Sequence, residues 1–241
     1  MPRPFLVLAV VLCCARNAPA ASTGLEPIRA SLSGRTDLRY YAELGRALFG
    51  GEAEYRYAQM VAMPSSRPAE AVFIEALPPG VRPTGHRVVH VLAGASVARA
   101  SDDQPVPTLI NRAAIDSEVA NAVQRVWLCA ACTASYGEPR TDGRRVIVAV
   151  LNGTEYQFST FVSGVGWPSA RTYEPKPHTV AAGMVALGRT LMEYADSGPG
   201  RRDAVRGTIL RRVDKLRRMF RESGLDRVSW CKTAVPTAEI W

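Results

Sequence analysis

Three short apolar runs, each closed by proline or glycine, constrain the fold of this 241-residue chain more than any other feature. Glu54 to Met63 stops at Pro64, Ala71 to Leu77 stops at Pro78-Pro79, and the valine-rich run Arg87 to Ala93 lies between Gly85 and Gly94. Strands of this length separated by Pro/Gly turns pair with their sequence neighbours, which predicts an antiparallel meander. Farther along, Arg145–Leu151 and Thr154–Val162 flank Asn152-Gly153, the dipeptide of a two-residue type I′ turn, so they read as a hairpin. In its second strand Tyr156, Phe158 and Thr160 share one face and Glu155, Gln157 and Ser159 the other. That alternation suits a sheet with one buried and one wet face.

Helical periods interleave with these runs. Thr36 is placed to cap a helix whose face carries Leu38, Tyr41, Leu44, Leu48 and Phe49, and Gly50-Gly51 stop it. Asp116 opens a second helix with Glu118 in its first turn and a stripe of Val119, Val123, Val126, Trp127 and Ala130. Thr179 to Ala195 is the third, with Met184, Leu187, Leu191 and Tyr194 in its stripe. There Gly183 and Gly188 either weaken the helix or allow close packing against the sheet. Arg201 to Ser223 is the fourth, ended by Gly224, and Val228–Val235 reads as a last short strand. The expected class is α+β: an antiparallel sheet of about five to seven strands with about four helices packed mainly on one face.

The N-terminus reads as an export signal. Arg3 precedes an unbroken apolar run from Phe5 to Ala15, too short to span a bilayer, and Ala18-Pro19-Ala20 ends it with small residues. Residues 1–20 are therefore expected to be cleaved, leaving 21–241 as one α+β domain in the periplasm or outside the cell. The polar, Pro-broken stretch 101–107 is the place for a subdomain boundary if there is one. Hydrophobic residues at 47% and charged residues at 22% match a folded globular chain. No transmembrane span is expected after cleavage. The net charge of +8 falls to +6 without Arg3 and Arg16, and only three of the 30 basic residues are lysines.

Export also changes how the cysteines read. Cys13 and Cys14 fall in the leader, which leaves Cys129, Cys132 and Cys231. Cys129-Ala130-Ala131-Cys132 has the spacing of a thiol–disulfide pair, yet it sits at the far end of the second helix. The dipole there raises a thiol pKa, and neither a Gly-Pro spacer nor a flanking strand accompanies it. A structural bridge from Cys129 or Cys132 to Cys231 is preferred, with the partner left open and a local Cys129–Cys132 bond kept as the alternative. Closing a loop of about 100 residues in this way is worth on the order of 4–5 kcal/mol in the chain-entropy model. His86 and His90 would share a face only about 13 Å apart on a strand, too far for one ion. Gly94-Ala95-Ser96-Val97-Ala98 lacks the second glycine of a nucleophile elbow, and nothing matches a phosphate-binding loop. No catalytic, cofactor-binding or metal residues are assigned, and no cofactor is expected.

The fourth helix is the remaining candidate. Val205, Ile209, Val213, Leu216 and Phe220 form its apolar stripe. Arg206, Arg211, Lys215, Arg217, Arg218 and Arg221 cover the rest, with Arg212 on the border. This face could meet an anionic surface or an acidic partner. Nucleic acid is not expected, because the chain is exported and no aromatic residues interleave the charges.

Gly153, Tyr156, Phe158, Ser159, Trp167, Pro168, Leu187 and Gly188 form a further pattern: a Gly-x-x-Tyr-x-Phe-Ser strand, a Trp-Pro loop and a Leu-Gly helix. In this the chain resembles the C-terminal part of exported bacterial proteins of unknown function. The resemblance implies a bacterial, exported origin and brings no activity. The expected function is that of an exported envelope protein, leaning away from an enzyme, that acts through binding or interaction. Two alternatives stand beside it: a periplasmic thiol–disulfide protein using Cys129 and Cys132, and anionic-surface binding through the basic helix 201–223. The partner itself, an envelope protein or an anionic surface, is not specified by the residues.

Overall fold

A computed structural model describes residues 24–27, 44–50, 56–77, 85–94, 108–136, 153–162 and 166–224. The expected export signal at 1–20, the cap at Thr36, the connection 101–107, the strand expected at Arg145–Leu151 and the one at Val228–Val235 lie outside the described residues. Among the described residues seven strands build one sheet: β1 (Glu26–Pro27), β2 (Arg56–Pro64), β3 (Glu70–Ala76), β4 (His86–Ala93), β5 (Thr108–Ile115), β6 (Thr154–Thr160) and β7 (Ser169–Tyr173). Their order is β1-β7-β6-β2-β3-β4-β5, and every neighbouring pair is antiparallel. The helices are α1 (residues 44–49), α2 (Ser117–Tyr136), α3 (Val180–Asp196) and α4 (Pro199–Glu222). The α+β class and the antiparallel sheet are as the sequence predicts.

The central strands are apolar on both faces because both are covered. Ala58, Met60, Ala62, Val72, Ile74 and Val88 point into the larger core beneath α2, α3 and α4. Val61, Met63, Phe73, Val89 and Val91 point the other way, under Leu44 and Leu48 of α1. Three of the four described helices thus share one face, as expected. In β6 the alternation holds: Tyr156, Phe158 and Thr160 are buried and Glu155, Gln157 and Ser159 are half-buried.

The hairpin expected through Asn152-Gly153 is not formed. Residues 154–160 pair with β2 on one edge and with β7 on the other, so no edge of β6 remains for 145–151. The backbone N–H of Ser65 instead donates to the Gly153 carbonyl at 3.1 Å, where β6 begins beside β2. An Asn-Gly pair supplies local turn chemistry, but it does not decide which long-range strand wins the ladder.

Two glycines set the layer spacing. A Cβ at Gly188 would overlap the thioether of Met60, so this glycine brings α3 down onto β2. A Cβ at Gly183 would lie 2.8 Å from Leu216 Cδ2, so that glycine admits α4 rather than the sheet. Thr179 caps α3, its Oγ1 accepting from the Ala182 N–H at 3.2 Å. Pro199 opens α4, and Gly224, with φ of +70°, follows its end. α4 packs on α2 and α3 and forms a third layer above the sheet.

Candidate functional site

The charge of the molecule is concentrated in that outer layer. α4 carries eight arginines and Lys215 against Asp203, Asp214 and Glu222, a net of +6. This equals the whole net charge left to the chain when Arg3 and Arg16 are set aside. Its apolar stripe is fully used: Val205, Ile209, Val213, Leu216 and Phe220 are all buried against the rest of the fold. The helix therefore has no spare apolar face to insert into a bilayer, and whatever it meets outside is met through guanidinium and ammonium groups.

Those groups divide by what they already hold. Arg206 Nε donates to Asp116 Oδ2 at 2.5 Å, tying α4 to the residue that precedes α2, and this partner raises the Arg206 pKa. Arg217 pairs with Asp214 at 3.3 Å one turn away. Arg211 donates to the neutral Thr208 hydroxyl at 2.8 Å, so its charge stays uncompensated. Arg212 is half-buried, with its Nε shielded and without a hydrogen-bond partner. Lys215, Arg218 and Arg221 are exposed and pair with no acid among the described residues. Arg211, Lys215 and Arg218, at i, i+4 and i+7, form a continuous cationic ridge on the outside of α4.

A groove runs beside this ridge, between the C-terminal halves of α2 and α4. Its volume is about 560 Å³, and Arg125, Cys129, Asp214, Arg217, Arg218 and Arg221 line it. Val126 and Phe220 complete the lining with apolar surface. Arg125 is the member that sequence reasoning misses. It is an isolated arginine on the exposed side of α2, and only the packing of α4 against α2 brings it to the arginines of the other helix.

Cys129 and Cys132 both lie in the last two turns of α2, as the periodicity predicts. They are not bonded to each other. Cys132 is a free, buried thiol whose pKa is pushed up by burial. Cys129 is disulfide-bonded, its partner sulfur lying outside the described residues. Cys132 is buried although it lies outside the stripe read from the sequence: α2 is covered by the sheet on one side and by α4 on another, so its buried arc is wider than one stripe.

The histidines of β4 stand on one face, as expected of a strand, and each has a separate partner. His86 Nδ1 lies 3.0 Å from the Ser117 hydroxyl at the start of α2, and burial lowers the His86 pKa. His90 is held between carboxylates from two other elements. Its Nδ1 is 2.8 Å from Asp196 Oδ1 at the end of α3, and its Nε2 is 3.7 Å from Glu70 Oε2 on β3. Asn111, facing His90 across the β4–β5 ladder, donates to the same Asp196 oxygen at 2.8 Å. Burial alone would lower the His90 pKa, but the hydrogen bond to Asp196 and the negative charge of Asp196 and Glu70 outweigh it and the pKa is raised. His178 lies in the turn before α3 with φ of +64°, apart from both.

Comparison with known protein families, with curated proteins and with solved structures finds no match to this chain. Among the described residues no helix is long and apolar enough to cross a membrane.

Proposed function

We propose that this is an exported, non-catalytic protein of a bacterial envelope that acts by binding, and that the outer ridge of α4 is the face with which it meets an anionic lipid surface. The observation that carries the reading is the placement of charge: one outer-layer helix holds the entire net surplus, and its three ridge cations pair with no acid among the described residues. The leader-like N-terminus supplies the compartment in which such a surface is met. Since the apolar stripe of α4 is consumed in the core, attachment is peripheral and electrostatic rather than insertional.

The thiol–disulfide alternative fits less well. Its second cysteine is buried with a raised pKa, and its first is bonded elsewhere, whereas exchange needs an accessible thiolate.

Co-sedimentation with vesicles of phosphatidylglycerol and phosphatidylcholine tests the proposal. Each basic residue near an anionic membrane contributes roughly 1 kcal/mol, so the triple variant R211E/K215E/R218E should bind at least about a hundredfold more weakly. Equal binding to zwitterionic vesicles, or unchanged binding of the triple variant, would overturn the assignment of the face. Turnover of any substrate, abolished by alanine at one polar cluster, would overturn the non-catalytic part.

A further inference from the structure

The groove between the C-terminal halves of α2 and α4 has a charge balance of its own. Among the described residues it is lined by the guanidinium groups of Arg125, Arg217, Arg218 and Arg221 and by the single carboxylate of Asp214. That carboxylate is already paired with Arg217, and Arg125, Arg218 and Arg221 are exposed and pair with no acid among the described residues. Like charges held so close repel one another, and an anion between them relieves the repulsion. Arg217, Arg218 and Arg221 fall within little more than one turn of α4, a rise of about 6 Å, while Arg125 comes from α2. Donors gathered over so short a length suit one compact anion rather than two separated ones. Three unpaired guanidinium groups exceed the single charge of a phosphodiester. They match a phosphate monoester, which carries about −1.5 to −2 near neutral pH and offers three oxygens to bidentate pairs.

The groove also holds more than a phosphate. Its volume of about 560 Å³ is that of a site for a small organic ligand, roughly 300–1,000 Å³, and Val126 and Phe220 put apolar surface beside the guanidinium groups. Arg218 belongs both to this groove and to the ridge of Arg211 and Lys215, so the groove is continuous with the membrane-binding face. We propose that it takes the phosphate monoester headgroup of a single anionic lipid. Arg125 and Arg221 hold the phosphate from the two helices, and Val126 and Phe220 meet the glycerol and the first chain carbons. The inference rests on the reading of α4 as the membrane face and deepens it: the ridge attracts the protein to the surface, and the groove selects the headgroup.

Vesicle binding by the purified protein at matched surface charge tests it. Phosphatidylcholine vesicles carrying phosphatidic acid are compared with vesicles carrying enough phosphatidylglycerol to give the same zeta potential. Binding to phosphatidic acid should be at least about tenfold tighter. Arg125→Lys keeps the charge at an exposed position outside the ridge but loses the planar fork. This variant should bind phosphatidylglycerol within about twofold of the natural protein, while its preference for phosphatidic acid falls to about threefold or less. Binding to both lipids without preference, or an unchanged preference in Arg125→Lys, would overturn the groove assignment and leave the ridge standing. Binding to neither would overturn the membrane face and the groove together. Calorimetry separates the two sources of such a phosphate. Glycerol 3-phosphate should bind at least about tenfold more weakly than a short-chain phosphatidic acid, the loss expected when about two methylenes go unburied. Equal affinity would assign the groove to a soluble phosphate monoester and overturn the lipid.

Discussion

His90 offers the sharpest quantitative test of the fold, because carboxylates from two other elements meet on its ring and a third element holds one of them. Asp196 ends α3, Glu70 belongs to β3 and Asn111 to β5, so the His90 contacts hold the end of α3 and its corner with α4 against the sheet. The short contact to Asp196 is charge-assisted when the ring is protonated, worth roughly 1.5–3 kcal/mol where solvent is excluded. Asp196 is 41% exposed, however, and Glu70 stands at the longer distance, so screening reduces the figure to about 1–2 kcal/mol. The direction with pH follows from the raised pKa. The contribution is fully present below the ordinary histidine value of 6.5 and is lost as pH rises through the higher folded-state value. His90→Gln should therefore cost about 1–2 kcal/mol near pH 5.5, and the gap to the natural protein should narrow in alkaline buffer. Urea unfolding across a pH series, with the m-value checked for constancy, reads this directly. A gap that stays constant with pH, or a His90 ring that titrates below 6.5 by NMR, would refute the reasoning.

Other perturbations follow from the same packing. Gly188→Ala should destabilise by about 1–3 kcal/mol in urea unfolding through overlap with Met60, and in a Met60→Ala background the added cost should vanish. Glu75 is 3% exposed beneath α1 and pairs with Arg87, while Arg56 lies over the Phe49 ring nearby at 3.9 Å. Glu75→Gln should therefore lower stability by about 1–2 kcal/mol, since it takes a buried carboxylate away from partly exposed guanidinium groups. Cys132 should resist alkylation in the native protein near neutral pH and react within minutes once unfolded, because burial withholds its thiolate.

The central meander was legible because β2, β3 and β4 are apolar runs bounded by proline and glycine, and the amphipathic stripes of α2, α3 and α4 all face the core as their periods require. The outer strands β5 and β7 were not. β5 exposes Leu109 at 59% and Ile110 at 40%, so its apolar residues do not alternate with burial, and β7 hides between Pro168 and Pro175. Their strand character comes from a neighbour's ladder rather than from their own pattern. The Asn152-Gly153 turn misled for the same reason, since β2 and β7 take both edges of β6. At the candidate site, the basic ridge could be counted on a helical wheel, but its placement in an outer layer could not. Arg125 and the His90 cluster carry no local signal, because tertiary packing brings α4 to Arg125 and brings Asp196, 106 residues away, to His90.

The most direct measurement of the proposed binding face is the ionic-strength dependence of binding to phosphatidylglycerol vesicles by residues 21–241. A purely electrostatic attachment through α4 should weaken steeply as salt rises from about 50 to 500 mM, because the Debye length falls from roughly 14 Å to about 4 Å. Binding that persists unchanged over that range would contradict it, since retention would then come from apolar contact that α4, with its stripe buried in the core, cannot supply.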